Sequence, residues 1–313
     1  MRPTRPESVV GRGFTLIELV VAMVVMGIII AATVYFFYPV TQSVDVAGRA
    51  QLTDIADNAL QRIGRDARLA LPNSIRTASF GNQEFVEFLP IRTAGRYRGD
   101  SGGVSSGTDC PPDGVAAPAA DQLSFDGITD TCFKTIGTVA DFANITTNDF
   151  LVFNNYGLGF TGQNAYATSG TLNRIKILTR VSEATRAQFT FAGTALDRTL
   201  HASPGKRFFV VIGNATTGLP EAVTYECDKA NRQVLRRWGY SMVENPTSPP
   251  TFGGASATSA VIATNVSDCR FDYAQNVAPQ IGLLTLWLKL SRPLSGSVET
   301  VSLYHTVHVS NIP

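Results

Sequence analysis

From Leu19 to Tyr38 twenty successive residues carry no charge. About 20 predominantly apolar residues are what a helix needs to cross a bilayer. The chain is therefore expected to insert in a membrane near its N-terminus. Upstream, Arg2, Arg5 and Arg12 stand against Glu7 alone, and basic residues beside a span mark its cytoplasmic side. The remainder should lie beyond that membrane, as a single-pass protein with a periplasmic head. A secretory signal has the same order of parts, but its apolar region is shorter, about 7 to 15 residues, and ends at a small-residue cleavage site. Here Ala31-Ala32-Thr33 is followed by a further apolar run, Val34 to Tyr38, which argues against removal of the whole segment.

The second constraint is Glu18, a carboxylate at the cytoplasmic end of this span. A carboxylate costs up to about 3 kcal/mol at the bilayer centre and less near an interface, so it either reaches the headgroups or has a partner. A cut between Gly13 and Phe14 would create an amine four residues before Glu18, on the same helical face. Within one helix the pair is poorly satisfied, because the first backbone amides also point toward it. The amine of a neighbouring subunit is a better partner, and Glu18 then sets the register of side-by-side helices.

The run Gly13-Phe14-Thr15-Leu16-Ile17-Glu18 before an apolar helix resembles the class III signal of type IV pilins and type II secretion pseudopilins. That resemblance implies a leader, residues 1–13, removed by prepilin peptidase between Gly13 and Phe14, and methylation of Phe14. It also implies that Glu18 docks the subunit into a growing filament. The sequence departs from many major pilins in having Tyr35 where they kink the helix at a proline. Its own proline comes later, at Pro39.

Beyond the span, Leu52, Ile55, Ala56, Ala59, Leu60, Ile63 and Ala67 recur at three-and-four spacing, the signature of an amphipathic helix. The opposite face carries Asp54, Asp57, Arg62, Arg65, Asp66 and Arg68, mixed in sign as on a helix packed against a sheet, not a nucleic-acid stripe. One N-terminal helix over residues 14–71 is expected, transmembrane over 14–38, bent at Pro39 and Gly48 and stopped by Pro72.

Residues 72–313 turn to short β-rich runs separated by Gly, Asn, Asp and Pro, including EFVEFLPI, DFLVFNNY, RIKILTRV, KRFFVVIG and LLTLWLKLS. These read as antiparallel strands. The clearest hairpin pairs Val223–Cys227 with Val234–Trp238 through Asp228 to Asn231. No repeat period argues for a solenoid or propeller. The predicted class is α+β: a long N-terminal helix packed on an antiparallel head of one sheet or two, with a Gly/Ser/Pro/Ala-rich surface loop at 94–121. The stretches RIGRDARLALPNSIR and VSLYHTVHVSNIP resemble MSHA-type pilus biogenesis proteins of the MshO group, within the PilW-like minor pilins.

Net charge is +1, from 26 basic and 25 acidic residues, so nothing in the overall balance draws the chain to nucleic acid. Four cysteines beyond the membrane allow three pairings as two disulfides. The favoured one joins Cys110 to Cys132 across the loop and Cys227 to Cys269 between strands. There is no CxxC to indicate zinc. Gly103 to Gly107 matches G-x-S-x-G without the strand and helix of a nucleophile elbow. His305 and His308 are three apart on a strand and face opposite sides, and His201 stands alone. Asp100, Asp109 and Asp113 miss the EF-hand spacing. No catalytic residue, metal or cofactor is expected, and the chain is not read as an enzyme.

Two classes of function remain. The first is a minor pilin that helps to initiate or cap an MSHA-like pilus, or a type II secretion pseudopilin. Its partners would be other major and minor pilins, prepilin peptidase, the inner-membrane assembly platform and, before assembly, the lipid bilayer. The second is a pilin-like adhesin or DNA-uptake subunit, for which the cluster Arg232, Arg236 and Arg237 is the one hint.

Overall fold

A computed structural model describes residues 15–99, 110, 122–245, 257–278, 280–294 and 297–313. By internal contacts the chain divides into two compact units, Met1–Gln51 with Pro293–Glu299, and Leu52–Arg292 with Thr300–Pro313.

Helix α1 runs Leu16–Arg68. Both Pro39 and Gly48, where bends were expected, lie inside this one helix. Its end falls short of the predicted 71. Leu69 N and Ala70 N donate to Asp66 O and Ala67 O, 3.0 and 3.2 Å, in a tightened last turn. Leu71 N then donates to Leu89 O at 2.8 Å. The ring of Pro72 disfavours helical geometry at Leu71, so the chain leaves the helix before the proline is reached.

The strands are β1 (Arg76–Phe80), β2 (Gln83–Phe88), β3 (Ile91–Arg96), β4 (Asp126–Lys134), β5 (Phe150–Phe153), β6 (Arg174–Ser182) and β7 (Ala187–Asp197). A helical turn, α2 (Arg198–His201), precedes β8 (Arg207–Val211), β9 (Glu221–Asp228), β10 (Gln233–Ser241), β11 (Thr258–Thr264), β12 (Val266–Ala278), β13 (Ile281–Leu294) and β14 (Ser297–Ser310). Among the described residues they form three sheets, where one or two were expected: β1-β2-β9-β10-β11, β12-β13-β14 and β3-β8-β5-β6-β7-β4. The predicted hairpin is present, with Val234 opposite Cys227.

The start of the predicted 94–121 loop belongs to a sheet instead. Residues 94–96 are in β3, Tyr97 bridges Thr135, and Gly99 bridges Leu123. Residues 100–109 and 111–121 of that loop lie outside the described residues.

Among the described residues the buried apolar side chains form three clusters, two of which follow this layering. In the first, Leu52, Ala56, Ala59, Leu60, Ile63 and Ala67 of α1, each at most 2 % exposed, pack with Val86 and Phe88 of β2, Tyr225 of β9, and Leu284, Leu286 and Leu288 of β13. In the second, Phe133, Phe153, Phe189, Phe191 and Phe208 fill the six-stranded sheet's inner face; Phe133 and Phe208 meet edge to face at 5.4 Å, a geometry that adds to area burial.

Asp66, expected on the solvated face of α1, is an anchor to the sheet. It accepts from the Tyr225 hydroxyl at 2.6 Å and from Arg236 Nε at 3.1 Å. Burial, and then the hydrogen bond to Asp66, push the Tyr225 phenol above its ordinary value and keep it a donor.

Candidate functional site at the start of the long helix

The stretch Leu16–Phe36 has a mean hydropathy of 2.7 and is long and apolar enough to span a membrane, with none of it buried against protein. All its side chains are exposed. Leu, Ile, Val and Met therefore lie all round this part of α1, as on a helix whose solvent is lipid.

Gly13 and Phe14 lie outside the described residues. From Thr15 onward the geometry is defined. Glu18 N donates to Thr15 O at 3.1 Å and lies 3.3 Å from Thr15 Oγ1. Thr15 N and Thr15 Oγ1 each donate to Glu18 Oε2 at 3.4 Å. This reciprocal pairing is a capping box, in which a threonine at the N-cap and a glutamate three residues on satisfy each other's backbone amides. The carboxylate also sits in the first turn, where the positive end of the helix dipole favours it. The T-x-x-E spacing signals this second role of Glu18, and the sequence reading passed over it. The contacts are long, and the carboxylate, itself exposed, can still meet an amine.

Both expected disulfides are present. Cys110 and Cys132 have Cα atoms 6.1 Å apart. Cys227 of β9 and Cys269 of β12 are 6.6 Å apart and lie in the same core as the buried face of α1.

The remaining candidates separate. His305 is half-buried and His308 exposed, on opposite faces of β14. His201 is buried, and its Nδ1 accepts from Asp197 N at 2.9 Å; burial lowers its pKa. Gly103 to Gly107, Asp100, Asp109 and Asp113 lie outside the described residues. Among the described residues no group of three or more His, Cys, Asp or Glu could hold a metal ion. The basic cluster is absorbed by internal contacts: Arg236 on Asp66, Arg237 Nε on Glu226 at 2.7 Å, and Arg232 on Ser291 Oγ at 3.1 Å.

No curated protein and no solved structure matches this chain. Residues 11–34 match the family described as the prokaryotic N-terminal methylation motif. That match takes in Gly13, Phe14 and Glu18 together, fits a membrane-anchored protein, and supports a type IV pilin-like prepilin.

Proposed function

We propose that the chain is a minor pilin, an assembly subunit of a type IV filament of the MSHA-like, MshO-type kind. The observation that carries this reading is the methylation motif at 11–34, leading into a helix that changes from lipid-like exposure to a buried amphipathic face. In this reading, prepilin peptidase cleaves between Gly13 and Phe14 and Phe14 is methylated. The helix holds the chain in the inner membrane with its head in the periplasm until the assembly platform passes it to the filament. There it helps to initiate or cap the structure beside other major and minor pilins. The disulfides suit an oxidising compartment.

Glu18 is the residue whose role decides this proposal. Glutamine serves at the third position of a capping box as glutamate does, so Glu18→Gln keeps the cap and removes the charge. Cleavage and insertion are expected to survive, since the scissile bond is untouched and removing a charge eases insertion. Incorporation next to other subunits should fail, because a neighbour's Phe14 ammonium would be left without a counter-charge, at a cost of about 3 to 5 kcal/mol. N-terminal peptide mass spectrometry and the content of sheared filaments read both steps. A native chain that retains residues 1–13, or a Glu18→Gln chain incorporated like the parent, would overturn the assignment.

A further inference from the structure

On the outer part of α1, Asp54, Asp57, Arg62, Arg65 and Arg68 are all exposed. With Asn58 and Gln61 they fall in one stripe about 140° wide at 3.6 residues per turn. Their order is acids, amides, bases. Pairing within a helix requires opposite charges three or four residues apart, and this stripe withholds them. The positions so placed after Asp54 are Asp57 and Asn58, and those after Asp57 are Leu60 and Gln61. Gln61 Nε2 donates to Asp57 Oδ2 at 2.6 Å.

Among the described residues the side chains of Asp54, Arg62 and Arg68 have no hydrogen bond or ion pair. Arg65 Nε lies 3.8 Å from Asp66, a carboxylate already held by Tyr225 and Arg236. The three arginines line an open recess of about 620 Å³ with Asn58, Gln61 and His305. On the same stretch of helix, a Cβ added at Gly64 would lie 3.0 Å from Val307 Cγ2 and 3.1 Å from His305 Nε2. A glycine inside a helix is costly, and here it lets the side chains of β14 approach α1 closely.

We propose that this stripe is a contact between two copies of the chain, lying parallel and displaced along the helix by eight residues. The acidic pair and the first basic pair have the same three-residue spacing. A displacement of eight residues, about 12 Å, therefore brings Asp54 of one copy level with Arg62 of the other and Asp57 level with Arg65. The stripe is thus complementary to itself when shifted. The parallel sense rests on the proposed function, since two chains anchored by the same membrane helix have the same polarity. An antiparallel pair would match the charges as well, but one head would then lie on the wrong side of the membrane.

The test uses full-length chains with two different tags in their native envelope. One copy carries Asp54→Cys and the other Arg62→Cys, and an oxidative cross-link between the tags is the expected result. In cysteine-free stripes, Arg62→Glu with Arg65→Glu in both copies should lower co-purification of the two tags about three- to tenfold. Asp54→Arg with Asp57→Arg added to one of these copies should restore it, and Arg62→Lys with Arg65→Lys in both should leave it intact. Removal of residues 1–13 and filament content are measured in the same samples. If chains are processed and incorporated but the Arg62→Cys copy links only to other subunits, or to none, the copy-to-copy contact is overturned and the pilin reading stands. Unprocessed chains overturn both.

Discussion

The two ends of α1 share one backbone geometry and differ in what surrounds it. From Leu16 to Phe36 every side chain is exposed although nearly all are apolar. From Leu52 to Ala67 the apolar positions are buried, Ile55 half so, and the intervening ones are polar or charged. Helicity tells these stretches apart in no way; the angular distribution of apolar residues does. A stripe needs a protein partner, which β2, β9 and β13 provide. A full circumference needs a solvent that is itself apolar, because no sheet can cover every side of a helix at once.

If the outer stretch is held by packing, its largest liability is a cavity. Ile63 is fully buried between α1 and the sheets, and Ile63→Ala should destabilise the head by about 2 to 5 kcal/mol. Denaturant melting of the detergent-solubilised protein measures this, and membrane retention should be unchanged. The mirror experiment is Val25→Arg, exposed in the middle of the apolar stretch. Its cost is about 2.5 to 3.5 kcal/mol of insertion free energy, read as loss from the membrane fraction, with little effect on head melting. If each substitution also produced the other's effect, the division of the helix into two environments would fail.

The Cys227–Cys269 bridge sharpens the same contrast, because its sulfurs lie in the core that receives the outer stretch. Replacing both cysteines by alanine should cost the head about 2 to 4 kcal/mol and leave insertion intact. Non-reducing peptide mapping of the parent protein checks the pairing directly.

What could be read from the sequence follows from how local each signal is. The span, Glu18 and the Gly13-Phe14 junction are contiguous, so the candidate site was legible. Strands with dense apolar runs, such as β5 and β8, were legible as well. Strand β12 was missed because its buried Cys269 and Phe271 alternate with exposed Arg270 and Asp272, a pattern that a search for apolar runs passes over. Strand β4 was missed because Asp126, Gly127 and Asp130 are poor strand formers. Asp130 is accommodated there because its carboxylate accepts from Ser124 N at 2.9 Å and Thr131 N at 2.7 Å. Three sheets instead of two could not be foreseen, since pairings such as β2 with β9 join segments far apart in the chain. The charges of Asp66 and Arg236 were visible, but their partnership was not, for the same reason.

The smallest expected effect asks which of its two roles makes Glu18 important. Thr15→Ala removes the N-cap oxygen that faces Glu18 N and the hydroxyl that donates to Glu18 Oε2, while the carboxylate keeps its charge. Loss of an N-cap typically costs about 1 kcal/mol, confined here to the first turn of a helix of 53 residues. That turn should fray slightly, which hydrogen exchange at Glu18 and Leu19 in detergent would register as faster exchange. Incorporation should stay close to that of the parent, because the charge that meets a neighbour's amine is still present. Glu18→Gln is the complementary case, with the cap retained and the charge gone. If Thr15→Ala blocks incorporation as fully as Glu18→Gln, the glutamate acts by shaping its own helix end and the pairing between subunits is wrong. If only Glu18→Gln blocks it, the first turn of α1 differs from its buried outer stretch in the way the comparison requires: its polar group is kept for another chain.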